Sequence, residues 1–149
     1  MLQSAARALT PIRVRFPLLA SLLLAGPALA ESPATCPEPE FDAFLSRFSR
    51  EIAVQEASTA DPLVIEILDP EADPEPKLER TETPLAKVEW PVMTDVQGAD
   101  ANDQEVLVKD LDGGGKEVVF RGLGNGTLIT YEFRAQPCWT LVRYSDESM

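Results

Sequence analysis

The sequence predicts an α+β domain: one N-terminal amphipathic helix packed on an antiparallel sheet, made of a four-stranded C-terminal meander plus an earlier strand. Three observations carry this. Phe41, Phe44, Leu45, Phe48 and Ile52 recur at i, i+3, i+4, i+7 and i+11 and form a single apolar stripe. A lone apolar run of strand length, Leu63–Leu68, follows it. From Glu105 onward, β-rich runs alternate with short connections rich in the residues that tight turns need.

Taken in order, residues 1–30 predict a secretory leader. Arg7, Arg13 and Arg15 make a positive start, Phe16–Gly26 is almost wholly apolar, and Ala28-Leu29-Ala30 presents small residues at both recognition positions. A membrane-spanning helix needs about 20 apolar residues, more than this run supplies. The arginines are never adjacent, which speaks against twin-arginine export. Pro33-Ala34-Thr35 before Cys36 does not fit a lipoprotein signal. Cleavage is expected after Ala30, leaving a single exported domain over residues 31–149 in the periplasm or outside the cell.

Glu31–Pro39 reads as an irregular lead-in. The helix then runs from Phe41 to about Ser58, with Glu38, Glu40 and Asp42 near its start, where negative charge suits the helix dipole. Gln55 falls on the phenylalanine face, and a polar group there predicts a hydrogen bond to nearby backbone. Leu63–Leu68 is a strand interrupted only by Glu66, and Asp69–Pro76 is an acidic turn set by prolines. Between Leu78 and Met93 a short strand, a helical turn after Pro84 and an extended stretch carrying Trp90 are expected, followed by a polar loop at Asp95–Asp103. The meander strands are Glu105–Lys109, Lys116–Arg121, Thr127–Arg134 and Cys138–Tyr144. In the third of these, Ile129, Tyr131 and Phe133 share one face, and Leu128, Thr130, Glu132 and Arg134 the other, so one face is buried and one wetter. The helix stripe covers the buried face.

The chain has 13 basic and 25 acidic residues and a formal charge of −12. Three of the basic residues and none of the acidic ones lie in the leader, so removal of residues 1–30 takes the charge three lower, to −15. Such a charge opposes DNA, RNA and anionic lipid, because phosphate binding runs on Lys and Arg. It reads first as a solvated acidic surface that favours solubility, and it also suits cationic partners such as a basic protein, the partner itself being left open by the sequence. Cys36 and Cys138 are an even pair, read as one disulfide joining the start of the domain to its last strand. With no histidine in the chain, Ser-His and Cys-His nucleophilic schemes are excluded, and two cysteines make a poor zinc site. Acid–base chemistry would have to come from shifted carboxylates or lysines.

Two glycine-rich stretches invite motif readings. Asp110-Leu111-Asp112 begins like a calcium loop, but loop positions five and twelve, which should bear an oxygen ligand and a bidentate Glu, are Gly114 and Arg121, so a hairpin turn is expected. Gly122-Leu123-Gly124-Asn125-Gly126 lies between strands rather than opening a helix, which removes the phosphate-loop mechanism. Asn125-Gly126-Thr127 is a formal glycosylation sequon and also a hairpin signal. No cofactor is expected.

Phe41-x-x-Phe44-Leu45-x-x-Phe48, Gln55, Asp61-Pro62-Leu63 and the ending Cys138-Trp139-x-Leu141-Val142-Arg143-x-x-Asp146-x-Ser148 resemble a family of uncharacterised exported bacterial proteins of the DUF4348-like kind. The order of helix, strand, irregular middle and meander is similar to the cystatin-like or NTF2-like α+β fold. That resemblance implies a curved sheet wrapped about a helix, often with a pocket, and implies no activity. A non-enzymatic periplasmic binding or protein-interaction module is the expected function. A small carboxylate-dependent enzyme with an NTF2-like pocket and an acidic inhibitor or immunity-type protein are the alternatives. Tyr131, Trp139 and Arg143 make the candidate interaction surface. Trp139 and Arg143 share strand parity, and Trp and Arg are enriched where binding energy concentrates. Trp139 could instead pack beneath the segment carrying Trp90.

Overall fold

The structure is a computed structural model that describes residues 36–149. The leader read over residues 1–30 and the lead-in up to Thr35 lie outside the described residues. Two short helices, α1 (Phe41–Phe48) and α2 (Ile52–Ala57), precede six strands: β1 (Thr59–Asp69), β2 (Lys77–Thr83), β3 (Gln104–Leu111), β4 (Gly115–Gly122), β5 (Leu128–Ala135) and β6 (Trp139–Asp146). The strands form one sheet in the order β2-β1-β6-β5-β4-β3. The predicted α+β architecture and the four-stranded meander are both present. One junction departs from an all-antiparallel sheet: β1 lies parallel to β6. Parallel neighbours need a long crossover, and here everything from β2 to β5 intervenes.

The single predicted helix is two. Glu51 is extended, at φ −112° and ψ 104°, and acts as the N-cap of α2. Its carboxylate is drawn back along α1 onto the Arg47 guanidinium, with both contacts at 3.0 Å. The Arg50 Nε also takes the Ser46 carbonyl at 2.9 Å, occupying a helix-terminal acceptor. The stripe therefore ends at Phe48. Ile52, expected to continue it, is turned out and 47% exposed. The residues that remain do what their spacing requires. Phe41, Phe44 and Phe48 meet Phe133 of β5 edge-on, with ring centroids 5.5, 5.7 and 5.2 Å away. Such pairs add about 0.5–1.5 kcal/mol each beyond the burial of their area. Leu63, Val118, Phe120, Tyr131 and Leu141 complete the sheet side of the core.

Gln55 is buried, and both polar atoms of its side chain are bonded. Its Nε2 donates to the Met93 carbonyl at 2.9 Å, and its Oε1 accepts the Val92 and Met93 amides at 2.8 and 3.3 Å. The Tyr131 hydroxyl donates to the Val92 carbonyl at 3.0 Å. The irregular middle segment is thus tied down from a helix and from the sheet at one point. As expected, it holds a short strand (β2) and a helical turn after Pro84, at Leu85–Lys87. Two further helical turns, Val96–Gly98 and Asp100–Asn102, occupy the predicted polar loop.

The calcium-like stretch is a hairpin turn: Leu111 pairs with Gly115, and Gly113 and Gly114 take φ of 77° and 80°. The β4–β5 connection spans Leu123–Thr127 and is longer than the two-residue turn that Asn125-Gly126 suggests. Its Asn125 side chain bridges to the Asn102 and Asp103 carbonyls. Cys36 and Cys138 are joined, with 5.3 Å between their Cα atoms and a sequence separation of 102.

Candidate functional site

The three residues of the expected surface do not come together. Tyr131 is 3% exposed, between Phe120 and Tyr144 on the helix-covered face. Trp139 is on that same face, 4.8 Å from Phe41 ring to ring, with its Nε1 donating to the Pro39 carbonyl at 3.0 Å. It packs beneath the start of the domain and not beneath the Trp90 segment. Arg143 is on the opposite face. The cause is a β-bulge: Phe133 pairs with Leu141, yet the adjacent Glu132 pairs with Arg143, so Val142 is the extra residue and parity inverts across it.

Arg143 is the centre of a charge ladder on the outer face of the sheet. It reaches Glu66 of β1 at 3.0 Å and Glu132 of β5 at 3.1 Å. Arg80 of β2 takes the other oxygen of Glu66 at 2.7 Å, and Arg134 takes that of Glu132 at 2.6 Å. Burial works against the charge of Arg143, but its hydrogen bonds to Glu132 and Glu66 outweigh this and hold the guanidinium above its ordinary value. Burial pushes the Glu132 carboxyl up, and its bonds to Arg134 and Arg143 bring it below the usual range on balance. Glu66, the one polar interruption of an apolar run, was the sequence signal for this ladder.

Two hollows flank the helix-covered face. The first, of about 220 Å³, is walled by Phe44, Val54, Ala57 and Trp139 and closed at one end by Cys138. Its rim carries Arg47, bonded to Glu38 at 3.1 Å and to Glu51 at 3.0 Å. The hydrogen bond from Arg47 holds Glu51 below the usual carboxylate range. The second is a more open cleft of about 460 Å³ between Ile65, Thr83, Tyr144 and the segment from Lys87 to Val92. Burial, reinforced by Asp146, pushes the Tyr144 hydroxyl up to about 12, and burial raises Tyr131 as well. Both phenols are therefore neutral donors at physiological pH. Among the described residues no group of three His, Cys, Asp or Glu side chains is arranged to hold a metal ion, and no helix is long and apolar enough to cross a membrane.

A six-stranded sheet with short helices on one face, stapled at its N-terminal end, defines a disulfide-bonded α+β domain. No family model and no curated protein matches the chain. Among solved structures it is similar to an NTF2-like protein from Bacteroides fragilis, with a TM-score of 0.54 and 21% identity. The match covers 78% of this chain and 50% of that one, so the chain spans half the length of its structural neighbour. The shared property is the fold. The disulfide points to an oxidising compartment.

Proposed function

We propose that the chain is a non-enzymatic binding module, exported to the periplasm or beyond after cleavage behind Ala30. It grips a basic protein by seating one of that partner's apolar side chains in the hollow beside the disulfide. The observation that carries this reading is the chemistry of the hollow: its walls are apolar, and the two carboxylates at its rim are engaged by the single Arg47. A carboxylate-based enzyme needs a raised pKa in its pocket, and Glu51 is shifted the other way. The size suits one large side chain, and the acidity of the chain suits a basic partner. Of the residues expected from sequence to make contact, Trp139 lines the hollow, while Tyr131 and Arg143 serve the core and the outer ladder. Kinship with the DUF4348-like exported proteins belongs to the same reading and rests on the positions from Phe41 to Ser148 that resemble that family.

Ala57 lines the hollow and is itself exposed, so Ala57→Phe should fill the hollow without removing any core side chain. The disulfide-bonded protein should capture a basic protein from periplasmic extract, less at high salt, and the filled variant should lose it with its melting temperature intact. Equal capture by the filled variant, or capture of an acidic partner only, overturns the reading.

A further inference from the structure

We propose that β3 joins two copies of this chain, edge to edge and antiparallel, into one continuous sheet. Strand β3 is terminal in the sheet, so one side of its backbone has no strand partner. Its sequence from Glu105 to Lys109, Glu-Val-Leu-Val-Lys, is complementary to itself when reversed. A two-fold axis perpendicular to an antiparallel sheet makes one residue face its own copy, and every other facing pair then has matching parity. With the axis at Leu107, Leu107 faces Leu107, Val106 faces Val108, and Glu105 faces Lys109. Moving the axis to Val106 sets Glu105 against Leu107, and moving it to Val108 sets Leu107 against Lys109. One register alone matches apolar with apolar and acid with base.

The rows behind the edge agree. Within the chain, Glu105 pairs with Arg121 and Lys109 with Glu117 on β4. Joining the copies therefore produces a row of alternating sign: Arg121, Glu105, then Lys109 and Glu117 of the second copy. The inner face gives an apolar row in which Val118 and Val108 continue into Val106 and Phe120 of the second copy. Val108, 44% exposed at the edge, is covered by this contact. At the other margin, β2 can set Arg80 against Glu82 about an axis at Thr81, but in that register it offers no apolar facing pair within the strand. Cross-strand pairs of matched chemistry are the unit of sheet stabilisation. A contact of one strand each is small, and small interfaces are weak, so the dimer is expected to be a weak one.

Sedimentation equilibrium on the disulfide-bonded protein, from micromolar to millimolar concentration, tests this independently of the hollow. The native protein should dimerise. Glu105→Lys and Lys109→Glu, each of which creates two like-charge facings per dimer, should each weaken it at least about tenfold. The double exchange Glu105→Lys/Lys109→Glu should recover most of the loss, although it breaks the ion pairs to Arg121 and Glu117 within the chain. Backbone amides of Glu105–Asp110 in the native protein should exchange more slowly as concentration rises. A protein that stays monomeric throughout, single variants that dimerise as the native does, a double exchange without recovery, or concentration-dependent protection elsewhere than β3 each overturns the proposal.

Discussion

Replacing Gln55 by methionine keeps most of the volume of a side chain that is 1% exposed and removes three hydrogen bonds. The groups left behind decide the cost. Val92 is half-buried, and its amide can recruit water. Met93 is 1% exposed, and both its amide and its carbonyl lose their Gln55 partner in a place water does not reach. An orphaned buried polar group costs about 1–3 kcal/mol, so two of them set the expected loss at about 2–6 kcal/mol. Against a total stability of about 5–15 kcal/mol this is a large fraction. Urea unfolding followed by tryptophan fluorescence should show the midpoint fall at unchanged slope. Thermal unfolding should fall by roughly 3–5 °C per kcal/mol for a domain of this size. The loss should also be local: amides of the middle segment around Met93 should exchange faster than those of β5. A loss below about 1 kcal/mol, with Met93 exchange unchanged, would refute the claim that this side chain holds the middle segment to the helix.

Opening the disulfide by Cys138→Ser removes a constraint on a loop of 102 residues, and the chain-entropy argument puts the loss at up to about 4–5 kcal/mol. Calorimetry should show a lower melting temperature with the circular dichroism spectrum retained. Glu132 is held below its unfolded value, so its contribution is present above the unfolded pKa and lost as pH falls through the folded one. Glu132→Gln should accordingly flatten the acid limb of a stability-against-pH curve, and an unchanged acid limb would contradict the shift. Intact-mass measurement on exported protein should find Glu31 at the N-terminus, and a species retaining residues 1–30 would sink the proposed cleavage.

Much of the architecture was legible because it rests on local pattern. The phenylalanine spacing, the alternation in β5 and the glycine-bearing connections each specify an element without reference to the rest of the chain. Gln55 was legible for a related reason: a polar side chain on an apolar face has to be bonded, and backbone is the commonest partner. The break at Glu51 was not. Arg50 takes the Ser46 carbonyl there, but Arg47 and Glu51 stand at i and i+4, a pair equally at home in a continuous helix. The parallel junction of β1 with β6 escaped as well, because it joins positions at opposite ends of the domain and leaves no mark on either run. Arg143 is the sharpest instance. Counted from Trp139 it falls on the buried face; the bulge at Val142 moves it to the other one. Nothing in Leu141-Val142-Arg143 distinguishes a bulged valine from a paired one.

That bulge also separates two jobs that sequence parity had merged. On the outer face, Arg143 stands between Glu66 and Glu132, two carboxylates that need a counter-charge where they are partly removed from water, so its first obligation is to the sheet. On the inner face, Trp139 is fixed by Phe41, by the Pro39 carbonyl and by its neighbour Cys138. The wall it gives to the hollow is held in place by the disulfide that carries the chain from Cys36 into α1. On the proposed reading, the oxidising compartment is therefore a condition of binding as well as of stability. With the bridge open, Pro37 and Glu38 are released from Cys138, and the hollow loses one end and part of its rim. On the same proposed reading, an apolar hollow completed only after oxidation stays incomplete on the reduced chain before export.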